Sequence, residues 1–222
     1  NAFGYLSEFT FYRQDFYKTR YVFGFGRTED VPYGINVNIS AGYIRQLRLE
    51  RPYLGFKFDY SRATSKGNFV SLKFQAGAYY RNGNLEDNIL QGRASYYSRL
   101  LQLKLYKMRN YITAGYTLLD NRPVIDWLNI TRKDIPGFSA DSLDADKRFS
   151  IHLETLLYAP WSLLGFRFAP FAAVDVVGLK CINCESSNEY FLGISGGFRT
   201  RNENLIFGTM EVKFTFIPRN ED

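Results

Sequence analysis

The chain has 222 residues, of which 45% are hydrophobic and 23% charged, and its formal net charge is +6. No stretch approaches the roughly 18 to 20 apolar residues that a transmembrane helix needs, and the uncharged run 155–166 is short and contains Pro160. The basic residues are dispersed singly and form no run or helical face, which argues against nucleic acid as a partner. Aromatic residues make up 18% of the chain, and such abundant Tyr, Phe and Gly favours pleated strands and interfacial girdles.

Apolar residues alternate with polar or small residues along most of the chain, which is the pattern of strands with two different faces. In the segment 34–45, for example, Ile35, Val37 and Ile39 alternate with Asn36 and Asn38. Eleven such segments are predicted as strands: 5–13, 15–26, 34–45, 52–62, 68–81, 89–101, 110–119, 146–158, 164–178, 190–200 and 204–217.

The segments are long for strands of a water-soluble protein. Most have at least the roughly 9 to 11 residues that a tilted strand needs to cross a bilayer, against about 5 to 6 for an ordinary strand. Charged residues such as Lys73 and Glu154 stand mid-strand on the polar face, and Tyr and Phe cluster toward strand ends. A soluble β-sandwich shares the alternation and also exposes a polar face to water, so strand length and the placement of the aromatic residues distinguish the barrel from it. The sequence therefore predicts one all-β domain, 1–222: an antiparallel transmembrane β-barrel of the outer-membrane type.

One connection is much longer than the others. Residues 120–145, with Pro123, Pro136, Gly137 and several Asp residues, are predicted as a loop that is extracellular or folded into the barrel lumen. By alternation of the connections, 179–189 lies on the same side. It contains Cys181 and Cys184, for which a disulfide is expected in an oxidising exterior.

Few residues suggest catalysis. The only histidine, His152, shares a strand face with Ser150 and Glu154, but residues two apart on a strand are separated by nearly 7 Å of strand rise, too far for a ready catalytic triad. No phosphate-binding glycine loop, EF-hand or HExxH motif is present, so neither a cofactor nor a metal is predicted. The sequence predicts a barrel that is not an enzyme, with a hydrolase using Ser150 and His152 as the remaining alternative.

The predicted lumen face carries more positive than negative charge. The basic residues on it are Lys18, Arg20, Lys57, Lys73, Arg93, Arg99, Arg148, Arg167, Arg199 and Lys213. The acidic residues are Glu8, Asp59, Glu154, Asp175 and Glu211. Such an interior either favours anionic solutes or pairs its charges internally to keep the barrel wet and rigid.

The last 90 or so residues resemble the BamA and TamA superfamily of outer-membrane assembly barrels, also called the bacterial surface antigen family, in versions from Bacteroidetes-type bacteria. The resemblance is carried by Ile135, Pro136, Gly137 and Phe138, then DADKRFSIHLETLLYAP (144–160), GFRFAPFAAVD (165–175) and GGFRTRNENLIF (196–207).

The resemblance implies a lumen-folded loop with its tip at Ile135, Pro136, Gly137 and Phe138, received by a strand that holds Arg148, His152 and Glu154. The family loop carries an arginine that contacts an acidic residue of a later strand, and here Pro136 stands in place of that arginine. The family barrel has sixteen strands, five after this loop. With four predicted after it and seven before, we expect a barrel incomplete at both ends, eleven strands of sixteen.

The resemblance also implies a function and a location. We expect a multi-pass barrel in the outer membrane of a Gram-negative bacterium that assembles or translocates proteins or lipids. Its expected partners are outer-membrane lipid and lipopolysaccharide, unfolded outer-membrane proteins and accessory assembly subunits. The alternatives are a passive anion-favouring channel, a structural barrel, and the barrel of a patatin-like lipase fusion.

Overall fold

The computed structural model describes residues 3–22, 24–46, 49–122, 128–130, 135, 140–181, 188–202 and 208–218. The described chain is all-β, and it contains no helix that could span a membrane. Its strands are β1 (Phe3–Arg20), β2 (Thr28–Gln46), β3 (Leu49–Ala63), β4 (Phe69–Arg81), β5 (Asn84–Tyr97), β6 (Leu101–Leu103), β7 (Tyr106–Asp120), β8 (Leu128–Ile130), β9 (Ala140–Tyr158), β10 (Ser162–Leu163), β11 (Phe166–Cys181), β12 (Asn188–Asn202) and β13 (Met210–Phe216).

All strands belong to one antiparallel sheet. Ten long strands are hydrogen-bonded in the order β1-β2-β3-β4-β5-β7-β9-β11-β12-β13, while the short strands β6, β8 and β10 pair with β7, β9 and β11. Each long strand therefore pairs with the next long strand along the chain. In the described residues no pairing joins β1 to β13, so the sheet is open, with these two strands at its edges.

The prediction of eleven long strands is wrong at the N-terminal side. In place of the predicted strands 5–13 and 15–26 there is a single strand, β1, which ends at Arg20. Its pairing with β2 runs without interruption from Phe3 opposite Arg45 to Arg20 opposite Thr28. The polar residues of 13–15 interrupt the apolar alternation, but an edge strand exposed on both faces tolerates them. The four long strands predicted after residue 145 are confirmed as β9, β11, β12 and β13.

Strand β9 also begins earlier than predicted. It starts at Ala140, and the short strand β8 pairs with its first residues, Leu128 opposite Ala145 and Ile130 opposite Ala140. The segment 120–145, predicted as a loop, therefore contains a small hairpin-like extension of the sheet. Two of the two-residue strand connections, Asn82-Gly83 and Leu164-Gly165, have positive φ at both positions, as type I′ turns require.

The cross-strand register gives the sheet two different faces. One face, here called the outer face, exposes large apolar side chains on most of the long strands. The exceptions are β11 and the centre of β5, where this face carries small or branched residues. Members of this exposed set are Phe9, Ile39, Leu54, Leu72, Ile112, Leu153, Ile194 and Phe214. The opposite face, the inner face, carries the charged residues and the buried core.

The core lies on the inner face because the sheet curls around it. Its largest cluster packs Leu156 and Tyr158 of β9 against Phe171 of β11 and against Phe25 from the β1–β2 turn. Since β1 and β2 are several strands away from β9 and β11 in the sheet, this contact requires a strongly curved sheet. A Tyr158 ring packs edge-on against Phe25, with ring centroids 5.7 Å apart.

The end of the β1–β2 hairpin supplies this contact. Beyond the point where Gly34 pairs with Ser61 of β3, β1 and β2 continue as a two-stranded ribbon, here called the ribbon, that ends in a turn whose described residues are 21–22 and 24–27. Gly34 has φ +147°, and a Cβ there would meet the Arg13 carbonyl oxygen, so glycine permits the close strand contact where the ribbon leaves the sheet.

Hydrogen bonds hold the turn against the inner face. Tyr111 Oη donates to the Val22 carbonyl at 2.9 Å and Tyr158 Oη donates to the Tyr21 carbonyl at 2.9 Å. Arg109 Nη2 donates to the Arg20 carbonyl at 3.1 Å. The ribbon is thereby attached to β7 and β9.

A buried ion-pair cluster lies near the other end of the sheet. Arg51 of β3, with a side chain only 1% exposed, contacts Asp87 at 2.7 Å and Glu86 at 2.9 Å and lies 4.3 Å above the Tyr79 ring centroid. The register between β4 and β5 shifts between Gly77 and Tyr79, and Asp87 has a positive φ of 49°. This β-bulge directs Asp87 toward the Arg51 guanidinium.

Candidate functional site

Five ionisable side chains on β9, β11, β12 and β13 form one connected cluster on the inner face, here called the charge network: His152, Glu154, Asp175, Arg199 and Glu211. Arg199 donates from Nη1 and Nη2 to the two oxygens of Glu154, each at 2.8 Å, and from Nε to Glu211 Oε2 at 2.6 Å. His152 Nδ1 lies 2.6 Å from Asp175 Oδ1. One guanidinium thus joins three strands.

The sequence of β11 lets Arg199 reach across it. The inner face of β11 carries Ala169, Phe171 and Ala173, and the two alanines leave space on either side of the aromatic ring. The Arg199 guanidinium lies 4.9 Å from the centroid of Phe171 and continues over β11 to Glu154 on β9. Stacking on an aromatic face and bidentate pairing with a carboxylate are both geometries that arginine provides and lysine does not.

The carboxylates of the network are buried. Glu154 is 7% exposed and Asp175 4% exposed, while His152 retains partial exposure. A buried carboxylate is stable only when it is paired and hydrogen-bonded, and Arg199 and His152 supply these partners. The described residues show no hydrogen bond from Ser150 to His152, and the second ring nitrogen of His152 faces Glu154 at 3.9 Å. The network is therefore arranged for cross-strand pairing and presents no hydroxyl nucleophile to the histidine.

The predicted loop tip is described at one residue, Ile135, because Pro136, Gly137 and Phe138 lie outside the described residues. Ile135 is fully buried and packs with Ala145, Val177, Leu179 and Phe191 of β9, β11 and β12. A Cβ on residue 193 would lie 2.8 Å from the Cγ2 atom of Ile135, so the glycine at this position makes room for the isoleucine side chain. Gly193 pairs with Asp175 of the charge network, so Ile135, which lies over Gly193, is next to that network.

The predicted receiving residues lie on the inner face of β9 but do not share one contact. His152 and Glu154 belong to the charge network, whereas Arg148 lines a separate cavity with Ser150. Cys181 is the last residue of β11, and Cys184 lies outside the described residues. Among the described residues, no group of three His, Cys, Asp or Glu side chains is placed to hold a metal ion.

The separate cavity, here called the cation cavity, has a volume of about 340 Å³ and opens on the inner face of β3, β4, β5, β7 and β9. Its basic lining residues are Lys57, Lys73, Arg93 and Arg148, and Asp59 is its one acidic lining residue. Gln75, Gln91, Thr117 and Ser150 add neutral polar groups.

Sequence patterns place Asp175, Arg199 and Glu211 on the inner face but give no reason to join them to Glu154 and His152. The missing information is the register between strands, because sliding a strand by two residues keeps every side chain on its face and changes every partner. The small residues at 169 and 173 were the one signal that a long side chain passes over β11.

Comparison with known proteins identifies no relative of this chain. No protein-family model matches the chain, and neither a curated protein nor a solved structure matches it.

Proposed function

We propose that this chain forms the wall of a transmembrane β-barrel in the outer membrane of a Gram-negative bacterium. The observation that carries the proposal is the two-faced sheet, whose long strands expose apolar side chains outward and hold polar and charged ones inward. More particularly, we propose a barrel of the BamA and TamA superfamily that is not an enzyme and that inserts or moves proteins or lipids at this membrane.

The exposed outer face supports a location in lipid. Phe9 is 69% exposed, Leu54 62% and Phe214 75%. Phe9 and Phe214 lie on the edge strands β1 and β13, and Leu54 lies on β3 inside the sheet, so the exposure is not confined to the edges. Water-soluble proteins rarely leave a contiguous apolar surface of this extent uncovered, whereas a bilayer covers it at no cost. Most long strands have 13 to 19 residues, enough for a tilted strand to cross the hydrocarbon core.

The loop tip and the charge network support the assembly-barrel proposal. Ile135 lies on the inner face beside β9, the strand that holds Glu154. Glu154 is the acidic residue of the strand that, by the family resemblance, receives the loop and its arginine. In this chain the guanidinium on Glu154 comes from Arg199 of β12. The pairing is thus made within the wall, and the loop contributes an apolar contact through Ile135. The loop function would then survive the replacement of the family arginine by Pro136.

The proposed partners follow from the same geometry. Outer-membrane lipid and lipopolysaccharide would contact the outer face. An incoming strand of an unfolded outer-membrane protein would extend an unpaired strand edge at the seam of the complete barrel, and accessory assembly subunits would assist that step.

Paired arginine substitutions on one strand test the membrane location. Leu72→Arg places a charge on the outer face, where it costs about 2 to 4 kcal/mol at the bilayer midplane, whereas Ser71→Arg places it on the wet inner face. We expect Leu72→Arg to lower the amount of protein recovered in the outer-membrane fraction and Ser71→Arg to leave it unchanged. Equal recovery of both variants would contradict a membrane-embedded outer face.

The cation cavity favours a second candidate function, an anion-selective passive channel. Depletion of the protein in cells and conductance in planar bilayers separate the two functions. An assembly barrel predicts lower outer-membrane levels of other β-barrel proteins or of lipid after depletion. A steady anion-selective current, together with unchanged levels of both, would replace the assembly function by the channel.

A further inference from the structure

We propose that the cation cavity binds a phosphate group, through Lys57, Lys73, Arg93 and Arg148. The site rests on the inner-face geometry alone and holds whether or not the sheet lies in a membrane. It takes the phosphate of a lipid headgroup or free phosphate, which share the charged oxygen atoms that these side chains recognise.

The cross-strand register places like charges directly opposite each other. Lys73 of β4 pairs with Arg93 of β5, and Lys57 stands in the neighbouring row, opposite Gln75. Like charges in directly opposite positions destabilise a sheet. An arrangement that brings cations together without bonding them to carboxylates is what an anion-binding site requires.

Among the described residues, three cations of this cavity, Lys57, Lys73 and Arg93, lack the internal partners found elsewhere on the inner face. In the described part of the chain, Lys57, Lys73 and Arg93 make no hydrogen bond or ion pair. Asp59 stands opposite Lys73 in the register, yet the two form no ion pair there. Arg148 completes the positive wall from β9. The lining of the cavity thus carries four basic side chains and one acidic side chain.

Neutral donors complete the surroundings that a phosphate needs. The side chains of Gln75, Gln91, Thr117 and Ser150 carry N–H or O–H groups that can donate to phosphate oxygens left over by the cations. Gly115 lies between Arg93 and Ser150 in the register, and the absence of a side chain keeps this part of the cavity open. The volume of about 340 Å³ accommodates a phosphate group together with several waters.

The space beside the site fits a ligand larger than the phosphate itself. Asp59, Lys73 and Arg93 also line a second cavity of about 690 Å³, which extends beneath the ribbon toward Tyr33 and Tyr97. The two cavities share these residues, so a phosphate held between Lys73 and Arg93 could carry an attached group into the second cavity.

Calorimetric titration of the detergent-solubilised protein tests the site with two probes, inorganic phosphate and short-chain dihexanoyl phosphatidate. We expect saturable binding of phosphate and an affinity at least about tenfold lower in the Lys73→Gln/Arg93→Gln variant. The matched control Arg62→Gln/Lys66→Gln removes the same charge from residues that do not line the cavity, and we expect its affinity to change less than about twofold. The charge-preserving variant Lys73→Arg/Arg93→Lys should retain binding if the fold is intact.

The outcomes decide the proposal and its source. Phosphatidate binding about tenfold tighter than phosphate binding supports a lipid headgroup, and equal binding supports the phosphate group alone. Equal weakening in the cavity variant and in the control would overturn the site, since it would reflect only net charge. The absence of saturable binding of either probe to the unaltered protein, up to about 10 mM, would overturn it as well.

Discussion

The charge network and the cation cavity lie on the same face of the same sheet, yet they treat charge in opposite ways. In the charge network, Arg199 pairs with Glu154 and Glu211 while His152 pairs with Asp175, so the long strands β9, β11, β12 and β13 are joined by these contacts. In the cation cavity, Lys73 and Arg93 face each other unpaired across β4 and β5. The difference indicates that one region stabilises the sheet and the other is kept available for an anion.

Removal of the network guanidinium should give the largest effect. Arg199→Met leaves Glu154 buried and without its bidentate partner, and we expect a loss of about 3 kcal/mol in the free energy of unfolding, measured by urea titration. The double variant Glu154→Gln/Arg199→Met should lose less than the single variant, because no buried charge is then left unpaired. Equal losses in both would show that Arg199 acts through packing on Phe171.

Truncation of the loop tip should have the next largest effect. Ile135→Ala removes a fully buried side chain from its place on Val177 and Phe191, and we expect about 2 kcal/mol of lost stability in the docking of this segment. Limited proteolysis measures it as faster cleavage between residues 121 and 139. Ile112→Ala, at an exposed outer-face position, is the matched control, and an equal change in its cleavage rate would contradict the docking of Ile135.

Loss of one hydroxyl in the ribbon contact should have a moderate effect. Tyr158→Phe removes the donor to the Tyr21 carbonyl, and we expect about 1 kcal/mol of lost stability in urea titration. Tyr116→Phe, on the exposed outer face, should change stability by less than about 0.5 kcal/mol. A similar change in both variants would mean that the Tyr158 hydroxyl does not hold the turn.

The smallest effect should have the opposite sign. Lys73→Gln relieves the repulsion with Arg93, and we expect stability to rise by about 0.2 to 1 kcal/mol in phosphate-free buffer. Lys57→Gln, whose cross-strand neighbours are Asn38 and Gln75, should change stability less. A clear loss of stability in Lys73→Gln would show that this lysine has a structural partner, and the contrast with the charge network would disappear.

The sequence predicts strands and faces well and partners poorly. Alternation correctly separates the inner residues Lys73, Glu154 and Arg199 from outer residues such as Leu72 and Leu153, because the side-chain direction repeats every two residues. It cannot supply the register, and hence not the pairing of Arg199 with Glu154 across β11.

Two further features were not predictable from local pattern. Polar residues at 13–15 split β1 in the prediction, since alternation gives no weight to exposure on both faces of an edge strand. The hydrogen bonds of Tyr111 and Tyr158 to Val22 and Tyr21 join residues about 90 to 137 positions apart, and local periodicity carries no information on such contacts. The burial of Ile135 is of the same long-range kind.

The ribbon has a geometric consequence for the whole sheet. If the curved sheet is drawn as an arc, the ribbon is a chord, fixed at one end where Gly34 leaves β3 and at the other by the hydroxyls of Tyr111 and Tyr158. The strands from β3 to β9 fix the length of the arc, and a chord of fixed length across an arc of fixed length sets its radius. The bend of the sheet is therefore held from inside, by a few hydrogen bonds from β7 and β9, and does not depend on any bond between the edge strands β1 and β13.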